Sequence, residues 1–257
     1  MNESEVFNDF LQITLNNFPL TIPITINNEI KYLERDVLYM KPVDSPSINQ
    51  CDEIKNIIQY DETNLIHQEK LLQLLTILDI NLGEKYSKIS KLIYENDKPW
   101  KINKLNEMKS SGLIYIIYKL NDEPYLFMSF MLTNEDEFDG KEISVIYLYE
   151  IQLLSIIRKQ GIGSKLINEN LLNCSKEIYL VNNKSFIGIE LTVFSDNYNA
   201  INFYKSIGMK LTPWSPQDTI KKISKRITRS NNKTKNVKDT QKIVIKPIYY
   251  LYYLPIN

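Results

Sequence analysis

Arg158-Lys159-Gln160-Gly161-Ile162-Gly163 holds two of the chain's seven glycines and lies between a strand-like run and a helix-like run. The run before it, Ser144 to Leu153, is rich in β-branched and aromatic residues and predicts a strand. The run after it, from Gly163 to about Asn173, places Leu166, Ile167, Asn170 and Leu171 at helical spacing. A turn stripped of side chains that opens a helix aims several backbone N–H groups at one point, and the positive end of the helix adds to the field there. Such a corner cradles a pyrophosphate. Alone, the pattern also fits an ordinary strand–helix turn, so the neighbouring residues decide.

Glu190 to Phe194 predicts a second buried strand. It leads into Asn197-Tyr198-Asn199-Ala200-Ile201-Asn202-Phe203-Tyr204, a short helix ended by Gly208. An Arg-x-x-Gly-x-Gly loop followed by a strand, Asn-x-x-Ala-x-x-Phe-Tyr and a glycine resembles the core of the GNAT acetyltransferases. The resemblance implies an α/β (α+β) fold: a central mixed, mostly antiparallel sheet flanked by helices on both faces. It also implies acetyl-CoA as cosubstrate and no metal. Its pyrophosphate would lie on Arg158, Lys159, Gln160, Gly161, Ile162 and Gly163, its pantetheine arm on Asn197, and its thiol near Tyr204. Tyr147-Leu-Tyr149-Glu150-Ile-Gln152-Leu153, the Arg158 loop and Leu191 to Phe194 with Asn197 narrow the resemblance to the N-alpha-acetyltransferase D (NatD) family. That family acetylates the N-terminus of core histones 2A and 4, which begin Ser-Gly-Arg-Gly. The match runs from Asn81 to Pro216 and takes in Tyr86, Pro99-Trp100-Lys101 and Asn106-Glu107-Met108, with extra residues between Tyr86 and Trp100.

Acetyl transfer to an amine needs a base for the amine, donors for the oxyanion and a proton for the departing thiolate. An α-amino group titrates near pH ~8, so freeing it at neutral pH costs about 1.4 kcal/mol and a modest base suffices. Glu150, set in an apolar strand where burial strengthens a carboxylate as a base, is the candidate, directly or through a water. On a regular strand Glu150 and Gln152 share one face, and Tyr147, Tyr149 and Leu153 the other; a bulge would mix them. By resemblance, Tyr204 is the acid for the thiolate, and backbone N–H groups near Gln152 and Leu153 hold the oxyanion. Tyr86, Trp100, Tyr147 and Tyr149 offer walls and donors for a peptide N-terminus. The family's acidic contacts for the substrate arginine fall near Thr133 and Glu135. There the chain departs, with Thr133 in place of an Asp and Glu135, Asp136, Glu137 and Asp139 following, so the arginine grip is either rebuilt or weakened.

Composition sets the frame. With 43% apolar and 24% charged residues the 257-residue chain is ordinary globular protein, its formal charge is zero, and no apolar run is long enough to span a membrane. The acidic start lacks the order of a signal peptide, and Cys51 and Cys174 show no disulfide pattern, so a reducing compartment is expected, which the resemblance makes cytoplasm and nucleus. The single His67 argues against a histidine metal site or a Ser-His-Asp triad. Residues 1–60 read as an N-terminal extension packed on the core, including an edge strand at Leu20 to Ile26 that carries Pro23. Residues 61–257 read as the acetyltransferase domain. It begins with helices at Glu62–Asn81 and Lys85–Glu95, and Leu113 to Leu153 follows as an antiparallel meander. A basic loop at about 221–242 precedes one last strand, Ile243 to Leu254. That loop is a candidate contact for a ribosome or nucleosome. The expected function is acetylation of histone N-terminal tails. The alternatives are a GNAT enzyme for other N-termini or a small amine, and a non-catalytic acetyl-CoA- or nucleic-acid-binding module.

Overall fold

Two pairs of small polar residues make the first tight corners. Asn27 and Asn28 (φ 53° and 64°) close one hairpin, and Asn121 and Asp122 (φ 52° and 66°) close another. Both central residues lie in the left-handed region, the signature of the two-residue turn that matches strand twist. In the computed structural model residues 3–42, 56–136, 142–182, 186–226 and 238–256 are described. They form two compact units, Met1–Glu190 with Leu254–Asn257, and Leu191–Tyr253.

In the first unit the order is α1 (Glu3–Asn17), β1 (Thr21–Ile26), β2 (Glu29–Tyr39), β3 (Ile57–Gln59), α2 (Leu65–Tyr94), α3 (Trp100–Glu107), β4 (Ile114–Leu120), β5 (Glu123–Asp136) and β6 (Glu142–Leu153). A glycine turn then leads through α4 (Ile162–Lys165), a π-helical turn (Leu166–Leu171) and α5 (Leu172–Asn182) to β7 (Phe186–Phe194). The sheet runs β1-β2-β4-β5-β6-β7. All its neighbours are antiparallel except β6 with β7, and β3 lies parallel to β2. Residues 1–60 thus supply α1 and strands of the sheet itself, β2 pairing with β4 from Glu34↔Lys119 to Tyr39↔Ile114. Strand β1 alternates exposed and buried residues, with Pro23 on its exposed side, as an edge strand should.

Helices cover both faces of this sheet. Phe130 of β5 meets Phe10 of α1 and Phe18 just after that helix, with ring centroids 6.0 and 5.7 Å apart, and α1 packs on α5. The opposite face takes α2, which packs on β5 and β6 and is joined by α3. The two helices expected at Glu62–Asn81 and Lys85–Glu95 are a single helix. Gly83 lies inside it, because a glycine costs a helix only about 1 kcal/mol and the packing of α2 on β5 and β6 outweighs that. Helix α2 starts on an Asn64 cap and ends at Glu95 in the left-handed region.

Gly188 is required where β7 meets the chain's last residues. Its φ is +130°, and a Cβ would sit 2.1 Å from the Leu254 carbonyl oxygen. Gly188→Ala is therefore expected to cost about 2–5 kcal/mol through strain and overpacking. A lower urea midpoint at unchanged slope would read it out.

The second unit contains α6 (Tyr198–Ser206), β8 (Lys210–Leu211), β9 (Thr219–Arg226), β10 (Lys238–Ile245) and β11 (Tyr249–Pro255), with β7 and β11 crossing its boundary. Asn197 caps α6 by accepting from the Ala200 N–H, and Gly208 follows the helix at φ +93°. The basic stretch is not a loop throughout. β9 and β10 form an antiparallel hairpin in register from Thr219↔Ile245 to Arg226↔Lys238, while the polar centre of the stretch lies outside the described residues, as do Cys51, Glu137 and Asp139. The expected single last strand is two, divided at Lys246-Pro247-Ile248, because Pro247 has no N–H to continue a ladder. Among the described residues no helix is long and apolar enough to cross a membrane.

Candidate active site

Strand β6 carries one residue more than β5 between Leu148 and Glu150. Leu148 pairs with Phe130 and Glu150 with Ser129, so Tyr149 is a bulge. Ser129 and Phe130 are consecutive and point to opposite faces, so the bulge moves Glu150 off the face that Leu148 occupies. Tyr147 pairs with Met131, which shares the face of Ser129. Tyr147, Glu150 and Gln152 therefore share one side, which corrects the regular alternation that set Tyr147 opposite Glu150. Tyr149 stays beside them, its ring 4.9 Å from that of Tyr147 at 63°.

Glu150 is buried, and every contact around it is specific. Oε1 lies 2.7 Å from the ammonium of Lys104 and accepts from the Tyr86 hydroxyl at 3.4 Å. Oε2 accepts from Gln152 Nε2 at 2.7 Å. Lys104 is itself buried, lies 2.5 Å from Glu107 Oε1, and sits 5.4 Å from the Tyr86 ring centroid. Burial alone would lower the pKa of Lys104, but Glu150, Tyr86 and Glu107 outweigh it and hold the ammonium well above its ordinary value. Tyr86 is pushed well up, first by burial and then by the Glu150 charge, and stays a neutral phenol. Its ring stacks on Trp100, with centroids 5.1 Å apart and planes at 13°. Tyr94 donates to Glu107 Oε2 at 2.9 Å, and Tyr115 donates to the Met108 carbonyl at 2.6 Å.

The strand's end is tied to the turn. Asn81 Nδ2 donates to Gln152 Oε1 at 2.9 Å and to the Leu153 carbonyl at 3.1 Å. Arg158 donates to the same carbonyl from Nε at 3.0 Å and Nη2 at 2.8 Å, and Nη2 also reaches Asn81 Oδ1. Gln160 clips the edge strand, accepting from Thr25 N at 2.8 Å and donating to Thr25 O at 2.9 Å. The side chains of Arg158 and Gln160 thus hold the turn in shape. What remains for an anion is the exposed Lys159 and the first-turn N–H groups of α4, which have no partner within the helix. Lys159 (φ 61°) and Gly161 (φ 77°) both adopt the left-handed region, and nothing lies within 4 Å of a Cβ built on Gly161. An open, donor-lined corner of this kind fits a pyrophosphate. Ile162 is buried beneath it and Gly163 is half-exposed.

Pairing of β6 with β7 ends at Tyr147↔Glu190, and β6 continues to Leu153 beyond it. Thr133 is half-buried and pairs with Val145; Glu135 pairs with Ile143 near the end of β5. Asn197 and Tyr204 belong to the second unit, where Asn197 caps α6 and Tyr204, half-buried, lies 5.3 Å from the Phe203 ring. The sequence reading missed Lys104 and Glu107. The available signal was a lysine one helical turn after Trp100 with an acid three residues later, a pattern shared by countless surface helices. Among the described residues no group of three His, Cys, Asp or Glu is placed to hold a metal.

The glycine turn after β6 and the buried carboxylate on that strand fit the expectation of a GNAT-type acyltransferase. No protein-family model matches the chain. It is 34% identical over 262 residues to N-alpha-acetyltransferase 40 of Saccharomyces cerevisiae, covering 97% of this chain and 88% of that protein. Solved structures overlap it more loosely. Arabidopsis thaliana NAA60 with a bisubstrate analogue has TM-score 0.36 at 18% identity, covering 68% of this chain and 93% of that one. Aminoglycoside 6'-acetyltransferase type Ii has TM-score 0.41 at 16% identity, covering 77% and 95%. On the yeast relationship the chain belongs to the N-alpha-acetyltransferase 40 family of GNAT N-acetyltransferases. It is an acyltransferase that uses acetyl-CoA.

The turn supports a direct measurement. Gly161→Val is expected to raise the KM for acetyl-CoA at least ~10-fold, because a branched side chain resists φ +77° and fills the open corner. Unchanged coenzyme binding by calorimetry would remove the turn from the site.

Proposed function

We propose that this enzyme acetylates the α-amino group of histone N-termini beginning Ser-Gly-Arg-Gly, as the NatD resemblance implies, in the cytoplasm and nucleus. The observation that supports the reading most is the bulge, which sets Tyr147 beside Glu150 and Gln152 on the face covered by the Tyr86–Trp100 stack. Acetyl-CoA supplies the activated acetyl group. The α4 turn and Lys159 would hold its diphosphate, and Asn197 its pantetheine arm. Glu150 takes the proton from the incoming ammonium, backbone N–H groups near Gln152 and Leu153 receive the oxyanion, and Tyr204 returns a proton to the thiolate. Tyr86, Trp100, Tyr147 and Tyr149 enclose the small first residue. Thr133 and Glu135 meet the substrate's arginine on the acidic end of β5.

Mass spectrometry of Ser-Gly-Arg-Gly peptides with acetyl-CoA tests the proposal. An α-acetylated product, lost when the N-terminus is blocked and reduced when the arginine is replaced, is the expected result. Acetylation that shifts to lysine in blocked peptides would refute it. Equal turnover of unrelated N-termini or polyamines would point to the broader GNAT reading.

The β9–β10 hairpin supports a nucleic-acid contact of ribosome or nucleosome. Lys222 and Lys242, both exposed, are paired directly across the ladder. Like charges in register repel, and a polyanion offsets that cost. Lys222→Glu with Lys242→Glu is expected to flatten the logarithmic salt dependence of duplex DNA binding by about 2. Fluorescence anisotropy across a salt series measures it, and an unchanged slope rejects the contact.

A further inference from the structure

The pair Lys104–Glu150 is costly by ordinary standards. Both side chains are almost wholly buried, 4% and 8% exposed, and a buried ion pair seldom improves on apolar packing. Its geometry has another use. The Lys104 ammonium lies 2.7 Å from Glu150 Oε1 and 2.5 Å from Glu107 Oε1, with the Tyr86 ring centroid 5.4 Å away. On the other side of the carboxylate, Asn81 donates to Gln152 Oε1, which leaves the Gln152 NH2 turned to Glu150 Oε2. Glu150 is held from both ends, and Oε2, with a single donor among the described residues, keeps a lone pair for a substrate's proton.

We propose that Lys104, shared between Glu150 and Glu107, is a positioning residue that keeps Glu150 ionised and aimed until an amine delivers its proton. This rests on Glu150 being the base. The charge count makes the arrangement work. With both carboxylates ionised and the lysine charged, the cluster of Glu150, Lys104 and Glu107 carries one net negative charge. The step moves one proton from the substrate ammonium to Glu150 Oε2, leaving a neutral amine and a neutral cluster in which Glu107 still balances the lysine. Lys104 keeps its own proton throughout. Among the described residues the other titratable groups near Glu150 are Tyr86 and Tyr94 on α2, Tyr115 on β4, and Tyr147 and Tyr149 on its own strand. Tyr86, Tyr94 and Tyr115 have raised pKa values, burial first and the carboxylates next for Tyr86 and Tyr94, and burial first for Tyr115, so they stay neutral phenols.

Two variants push the cluster in opposite directions. Lys104→Met leaves two carboxylates without their cation, so Glu150 should hold its proton to higher pH, by about 1–3 units. Glu107→Gln leaves the lysine to Glu150 alone, and protonation should move to lower pH. The measurement is the 13C-carboxyl titration of Glu150, identified by its loss in Glu150→Gln, beside the acid limb of kcat on an N-terminal peptide. The expected result is opposite displacement of both readouts in the two variants, with the KM for acetyl-CoA within about twofold of the parent. Carboxyl midpoints that stay put in folded variants overturn the positioning role. If Lys104→Met does not fold, Glu107→Gln decides alone. Midpoints that move while kcat does not follow overturn Glu150 as the base, and the positioning role with it.

Discussion

Glu150→Gln is expected to lower turnover by about 100-fold or more while the affinity for acetyl-CoA stays within about twofold. The amide keeps the shape of the side chain but cannot take a proton from an ammonium. It also carries one acceptor oxygen where two are in use, one toward Lys104 and Tyr86 and the other toward Gln152. One of those donors loses its partner, so a modest loss of stability accompanies the kinetic loss. The turn at Gly161 is untouched, which is why coenzyme binding serves as the internal control. Single-turnover kinetics with calorimetric titration of acetyl-CoA separates the two effects. Undiminished turnover would remove Glu150 from the chemistry, and weakened coenzyme binding would mean that the substitution had disturbed the strand.

Lys104→Met is expected to destabilise the fold by about 3–5 kcal/mol, because the surviving Glu150 charge stays buried without its counterion. The loss should be smaller when Glu150→Gln is already present, since that background has no charge to strand. The difference between the two is the coupling energy of the pair. The pH dependence has a definite sign. Lys104 is held above its ordinary pKa of 10.5 in the folded chain, so its contribution is complete below that value. It is lost as pH rises above 10.5 and through the folded pKa, because the unfolded lysine gives up its proton first. Tyr86, also raised, acts in the same direction from its ordinary value of 10.0 upward. In urea titrations the gap between parent and Lys104→Met should be narrower near pH 11 than at neutral pH. A constant gap would show that packing of the lysine stem, rather than its charge, carries the difference.

Much of this was visible in the residues because it depends on near neighbours. The helix end at Gly208, the Gly161 turn and the alternation of β1 each express what a few consecutive residues prefer, and the structure has them. The long helix reads as two around Gly83 because the small local cost of a glycine is visible in the sequence, while the packing of α2 on β5 and β6 that outweighs it is not. The hairpin of β9 and β10 was hidden by its own lysines, since local charge says nothing about whether a distant stretch will pair in register.

By itself the sequence determined the strand, side-chain-free corner and helix at Gly161, the residue types for acetyl transfer, and hence the family. Only the tertiary structure decided which of those residues meet. One extra residue at Tyr149 turns Glu150 and Tyr147 to a common face, and α3 brings Lys104 and Glu107 to that face from elsewhere in the chain. A bulge is a mismatch between two strands and a buried ion pair is an agreement between two elements, so neither is a property of either segment alone.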